Sequence, residues 1–236
     1  MINADGSQPG PFRVSLERNS IHDVSRHGIY AIGAGVVANA DNNSISGIGP
    51  ASGVPQFGIF LSTGAGGQVT GNQINEGTCG TLVRADCVNV RSEGVTLRAV
   101  ADGTIVDGNS IANAQSGIFI NGGSHVRVSN NFIRNIDALD GIDIQGTASG
   151  FFTDSLIQGN TIYKALPIAN ESCGIWEAPN TGVARNSIVN NFVNDAYCGI
   201  GYVSADNANA GTFLNVLYNT FSTDLYPTGG PPPVEP

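Results

Sequence analysis

Four aspartates fall close together in one stretch of this 236-residue chain: Asp137, Asp140, Asp143 and Asp154. Carboxyl groups grouped in this way serve two chemistries. They act as acid and base in glycosidic cleavage, or they ligate a Ca²⁺ ion that holds uronates for β-elimination. Asp143 and Asp140 are the candidate catalytic residues, with Glu93 and Glu177 as further carboxylates nearby. If the chain is an enzyme, this chemistry makes it a polysaccharide hydrolase or lyase. Ca²⁺ is the one ion these groups would take, and no cofactor is otherwise implied. Asp137 and Asp140 stand just ahead of the alternating run Ile142-Asp143-Ile144-Gln145, where aspartate also shapes turns, so a solvated loop is the competing reading. The histidines His22, His27 and His125 are scattered. A lyase needs a basic residue near its Ca²⁺ ligands, but Lys164, the only lysine, lies beyond the acidic coil at a turn after Asn160, and Arg127, Arg134 and Arg185 are equally unplaced.

Aromatic residues supply a second motif. A glycine followed by a β-branched residue recurs at Gly28, Gly58, Gly94, Gly117, Gly141, Gly174 and Gly199. In a strand starting there, the residue after each glycine points inward and the next points outward. The outward column reads Tyr30, Phe60, Thr96, Phe119, Asp143, Trp176 and Gly201. Two residues further on it is flanked by Arg98, Asn121 and Gln145. Phe119 and Trp176 beside Asn121, Gln145 and Arg98 on a solvent-facing sheet would suit a sugar chain, whose apolar face stacks on rings while its hydroxyls bond to amides. Two blander readings compete: a loop covering the rings, or a contact between copies of the chain.

The elements that must position these residues follow from a repeat. Asparagine recurs as Asn19, Asn43, Asn72, Asn109, Asn131, Asn160, Asn191 and Asn219. Three positions before each stands an apolar residue, from Leu16 and Ala40 through to Ile188 and Val216. Two positions after stand Ile21, Ile45, Ile74, Ile111, Ile133, Ile162, Val193 and Phe221. The spacing between asparagines varies from 22 to 37 residues while the motif keeps its length, as in a solenoid whose insertions are confined to connections. Alternation within the motif means strands with one face in the core. Together these predict an all-β fold, a single-stranded right-handed parallel β-helix of about eight coils. The asparagines would stack as a ladder of side-chain amides inside it.

The repeats resemble those of the pectate-lyase-like superfamily of right-handed parallel β-helices, over roughly Val14 to Phe221. That resemblance implies the fold; lyases, hydrolases, epimerases, tailspikes and adhesins all share it. The run Leu139-Asp140-Gly141-Ile142-Asp143 resembles the Asn-Thr-Asp-Gly-Ile-Asp segment of polygalacturonase-type hydrolases, which would make Asp140 the acid. Ala138-Leu139 replaces the Asn-Thr, and no second Asp-Asp, Gly-His-Gly or Arg-Ile-Lys follows. The Asp-Pro-His of alginate epimerases is missing too.

Composition agrees with a turn-rich solenoid: 32 glycines, few helix formers and only 12% charged residues. A net charge of −9 argues against nucleic acid, and no stretch is long and apolar enough for a membrane span. Cys173 and Cys198 each precede a Gly-Ile strand start, so they should stack one coil apart and form a disulfide; Cys79 and Cys87 make a candidate local pair. Two such pairs point to a secreted or cell-surface protein. Residues 1–13 are read as an N-terminal segment or a shortened cap, 14–225 as the β-helix, and 226–236 as a Pro/Gly-rich tail or linker. A flanking domain or a homo-oligomer would cover open ends. The expected partner is a polysaccharide bound along one sheet, with cleavage there left open; the alternative is a structural or adhesive module.

Overall fold

In the computed structural model each repeat contributes one strand to each of three parallel eight-stranded sheets. The structure describes residues 2–5, 11–49, 54–76, 91–136, 139–145, 152–163, 173–178, 183–196, 198–202 and 215–222. The first sheet runs from Ile2–Asp5 and His27–Ile32 through Gln56–Ser62, Ser92–Arg98, Ser116–Asn121, Ile142–Gln145 and Cys173–Ala178 to Cys198–Tyr202. The second begins at Phe12–Glu17 and ends at Asn215–Leu217; the third begins at Ser20–Val24 and ends at Thr220–Ser222. Ile2–Asp5 pairs in register with Ile29–Ile32, so strand pairing starts ahead of Val14. The described residues hold no α-helix, and none that could cross a membrane. Cys79, Cys87, Asp137, Lys164 and the tail lie outside the described residues.

The expected registers hold. The residue three before each asparagine pairs with its equivalent in the next coil, as in Val106 with Val128 and Val128 with Ile157. The residue two after does the same, as in Ile111 with Ile133 and Ile133 with Ile162. Both columns supply the core, together with the residues that follow the glycines, such as Ile59, Val95, Ile118 and Ile142. Stacking like on like lets one apolar side chain bury the next along the whole rod.

Two local devices fix the coil. At the corner between the second and third sheets, the residue before each asparagine is left-handed: Arg18, Asn42, Gly71, Gly108, Asn130, Gly159, Asn190 and Tyr218 all have φ between 53° and 64°. That turn aims the following asparagine inward. Each Oδ1 then accepts from the preceding coil's asparagine through both N and Nδ2. Asn109 gives Asn131 bonds of 3.0 and 2.9 Å, and Asn131 gives Asn160 the same. The second amide hydrogen goes to a main-chain carbonyl of the preceding coil, as from Asn131 to Val106 O at 3.1 Å. The ladder runs unbroken from Asn19 to Asn219.

The second device is the glycine column at the start of the first sheet. A Cβ at Gly117 would lie 2.5 Å from Gly141 O and 2.5 Å from Cγ2 of Ile133, and Gly28, Gly58, Gly94 and Gly141 are hemmed in likewise. The corner has room for a backbone and an isoleucine methyl, and nothing more. Cys173 and Cys198 pair in register and are bonded, with Cα atoms 4.4 Å apart.

Candidate ligand-binding site on the outward face of the first sheet

The outward column of the first sheet is in register from Tyr30 to Gly201, as expected. Its middle is not open to solvent, contrary to the expectation. Phe119 and Asp143 are each 2% exposed, and Thr96 is fully buried. The sheet is covered on both faces there, as parallel sheets usually are. The guanidinium of Arg91 sits 5.0 Å from the centre of the Phe119 ring and that of Arg98 5.4 Å from it, so two arginines cap the ring. Trp176, Asn121, Gln145 and Arg98 are half-buried.

The carboxylates separate by environment. Asp143 accepts from Gln145 Nε2 at 3.1 and 3.2 Å. Burial, and secondarily the charge of Asp140, push its carboxyl up to about 7. Asp140 accepts from the main-chain N–H of Cys173 at 2.6 Å, supporting the start of the next coil's strand. Glu93, fully buried on the same outward face, accepts from Thr96 Oγ1 at 2.5 Å and faces Arg91 at 3.6 Å. Burial raises its carboxyl above the usual range, against the pull of Thr96 and the two arginines. Glu177 stands apart from these: it occupies the inward column, paired with Ile144, and accepts from Asn186 at 3.2 Å inside the coil. Asp154 is also remote, at a corner, where Arg185 grips both its oxygens at 2.7 and 2.6 Å. The four-aspartate grouping of the sequence therefore reduces, among described residues, to the Asp140–Asp143 pair. No cluster of three or more His, Cys, Asp or Glu suited to a metal occurs among the described residues.

The open part of this face lies towards the first coils. A cleft of about 340 Å³ is lined by Arg26, His27, Tyr30, Pro55, Phe57, Phe60, Arg91 and Arg98. His27 stacks on Phe57 with centroids 5.2 Å apart, and Tyr30 lies 5.4 Å from Phe60. Arg98 holds its guanidinium 5.8 Å from Phe57 and 5.5 Å from Phe60. Burial, helped by the adjacent Arg26, lowers His27 to about 4, so its ring is neutral near pH 7. Of the residues read from the sequence as ligand-binding, only Arg98 lines this cleft. Arg26, His27, Phe57 and Arg91 were not singled out, although the residue before each glycine, His27 or Phe57, carries the signal.

Three parallel sheets wound coil upon coil, an internal asparagine ladder and a side-facing cleft define a β-solenoid with a lateral cleft. A family model described as a right-handed β-helix region matches residues 2–163, and the chain belongs to that family. The pectate-lyase-like resemblance is consistent with it. Among curated proteins none matches the chain.

Proposed function

We propose that the protein is an extracellular β-helix that binds a polysaccharide along the outward face of its first sheet, at the end nearest the first coils. The observation that carries this reading is the cleft in which the half-buried ring of Tyr30, backed by the buried rings of Phe57 and Phe60 in the next coil, is flanked by hydrogen-bond donors. The partly exposed Tyr30 ring offers a stacking face to a sugar unit, and the donors bond to its hydroxyls. The Cys173–Cys198 bond supports an oxidising, extracellular setting. Catalysis is left outside this reading, because Asp143 is only 2% exposed.

A glycan array probed with the wild-type chain and with Tyr30→Ala tests it. Binding to a defined set of polysaccharides, lost in Tyr30→Ala with unchanged thermal stability, is the expected result. An empty array, or signals equal in both proteins, removes the proposal. Release of reducing ends or of unsaturated uronate from any bound glycan would extend it to cleavage and return Asp143 and Asp140 to the centre.

A structural or adhesive module is the second reading, and one observation favours it. On the outward face of the third sheet Phe132, Tyr163 and Phe192 form a stripe with centroids 5.8 and 5.9 Å apart, and Phe132 is 40% exposed. A concentration-independent oligomer in light scattering, dispersed by Phe132→Ser, would support that reading.

A further inference from the structure

Internal coils pair with a neighbour on each side, but the first and last coils each leave one side open. The strands Ile2–Asp5, Phe12–Glu17 and Ser20–Val24 form one edge of the three sheets, and Cys198–Tyr202, Asn215–Leu217 and Thr220–Ser222 form the other. The two edges are complementary. In each internal rung the asparagine Oδ1 accepts from the coil before, while its main-chain N–H donates to the coil after. Among described residues, the N–H of Asn219 therefore has no acceptor and Asn19 Oδ1 has no donor. The residue after each asparagine donates its N–H to the previous coil's asparagine carbonyl, as from Ser44 to Asn19 O and from Thr220 to Asn191 O, both at 2.8 Å. By that pattern Ser20 N–H points out of the first coil and Asn219 O out of the last. The core opens at the same places. Val216 and Phe221 stand in inward columns yet are each 44% exposed, while their partners Ile188 and Val193 are buried. On the first coil Phe12, the partner of buried Val36, is exposed as well.

We propose that copies of this chain stack end to end, the last coil of one against the first coil of the next, in the register the coils already use. Asn19 Oδ1 then accepts from N and Nδ2 of the other copy's Asn219, and Ser20 N–H meets Asn219 O. Asn19 Nδ2 meets Val216 O, as Asn43 Nδ2 meets Leu16 O within the chain. Leu16 lies over Val216 and Ile21 over Phe221, which closes the apolar columns. Exposed Arg18 falls on the exposed ring of Tyr218. Two like ends cannot join in this way, because donor would face donor at the last coils and acceptor face acceptor at the first. Charge sorts the ends in the same sense. Residues 11–26 hold three arginines, Arg13, Arg18 and Arg26, against two acids, Glu17 and Asp23. From residue 186 onward the sequence has no lysine, arginine or histidine, and four acids, Asp195, Asp206, Asp224 and Glu235. Opposite balances favour head-to-tail encounter over either like pairing. Such a junction is heterologous and does not close on itself, so the product is a growing rod. It does not depend on what the lateral cleft binds.

Sedimentation equilibrium of the full chain over a wide range of concentration tests this. The mean mass should rise with concentration through successive multiples of the monomer, with no plateau at the dimer. Ser20→Pro removes an edge N–H that no described bond within the chain uses, and Phe221→Asp puts a charge into the open end of the core. Each should weaken association roughly tenfold or more. Tyr218→Arg, at an exposed position where folding is not at stake, should weaken it in the same direction. A mixture is the decisive measurement. Ser20→Pro keeps a sound last coil and Phe221→Asp a sound first coil, so together they should form a one-to-one dimer and nothing longer. Should Phe221→Asp lower the melting temperature, Ser20→Pro mixed with Tyr218→Arg gives the same dimer. A monomer at every concentration overturns the proposal. So does association that persists in all three variants, or that Phe132→Ser abolishes, since the contact then lies on the third sheet. Mixtures that stay monomeric, or that grow beyond the dimer, overturn the head-to-tail polarity.

Discussion

The indole of Trp176 lies over the α-carbon of Gly201, its partner in the next coil, so closely that a Cβ there would fall 2.3 Å from Cε3 and 2.6 Å from Cζ3. The column position that carries tyrosine and phenylalanine elsewhere is glycine here because its neighbour's ring fills the space. Gly201→Ala should displace the ring at a cost of roughly 1–3 kcal/mol, the usual range for overpacking. Trp176 is the only tryptophan, so the change is read directly. Its fluorescence maximum should shift and the melting temperature fall, while Gly103→Ala, where a Cβ meets nothing within 4 Å, leaves the emission of Trp176 unchanged. An unaltered spectrum in Gly201→Ala would show that the indole does not rest there.

How far the sequence reaches is clear from such pairs. Register was legible because a solenoid places equivalent residues directly over one another: once Asn109 and Asn131 are recognised as the same position, Ile111 must stack on Ile133. Stacking of Cys173 on Cys198 follows from the same argument. Exposure was not legible. Phe119 does point away from the core, yet Arg91 and Arg98 reach over it, and no periodicity in its own strand reports what neighbouring coils lay across it. Alternation itself turns Glu177 inward, next to the outward Trp176, so grouping it with Asp143 by nearness in sequence passed over its parity; the coils before it carry Ala31, Leu61, Leu97, Ile120 and Ile144 in that column. The cleft escaped notice because strand parity breaks at the glycine corner. Gly58 is turned towards Ile74, which leaves both Phe57 and Phe60 on the outer side of the sheet.

The asparagine ladder predicts a gradient of stability along the rod. Asn131→Ala would leave the main-chain N–H of Asn109 and one of its Nδ2 hydrogens without an acceptor, remove the amide donor to Val106 O, and take one donor from Asn160 Oδ1, which keeps the main-chain N–H of residue 131. Each buried orphan costs on the order of 1–3 kcal/mol, so a loss of roughly 3–5 kcal/mol is expected in urea unfolding. Asn219 is the last rung and only partly buried. Asn219→Ala should cost about 1 kcal/mol or less, since water reaches the groups it abandons. Equal losses at the two sites would mean that the ladder contributes less than the turn it closes.

Buried carboxyl groups give the protein an unusual dependence on pH. Glu76, fully buried, accepts from Gln56 Nε2 at 2.7 Å, and burial raises its carboxyl from 4.5 to about 8. Burial shifts Asp143, Glu93 and Glu177 in the same direction. A carboxyl whose pKa is higher in the folded state keeps its proton there after the unfolded chain has released it. Its contribution is therefore complete below about pH 4.5 and declines as pH rises towards 8, by roughly 1.4 kcal/mol per pH unit from Glu76 alone. Stability should thus be greatest in mild acid, the reverse of a protein whose carboxylates are salt-bridged. Glu76→Gln replaces the titrating group with one that stays neutral and can donate to the unpartnered Oε1 of Gln56. Urea unfolding at pH 5 and pH 8 checks the prediction: the wild-type chain should lose several kcal/mol between them, and Glu76→Gln should lose markedly less. Parallel curves for the two proteins would show that Glu76 ionises as freely in the folded state as in the unfolded one.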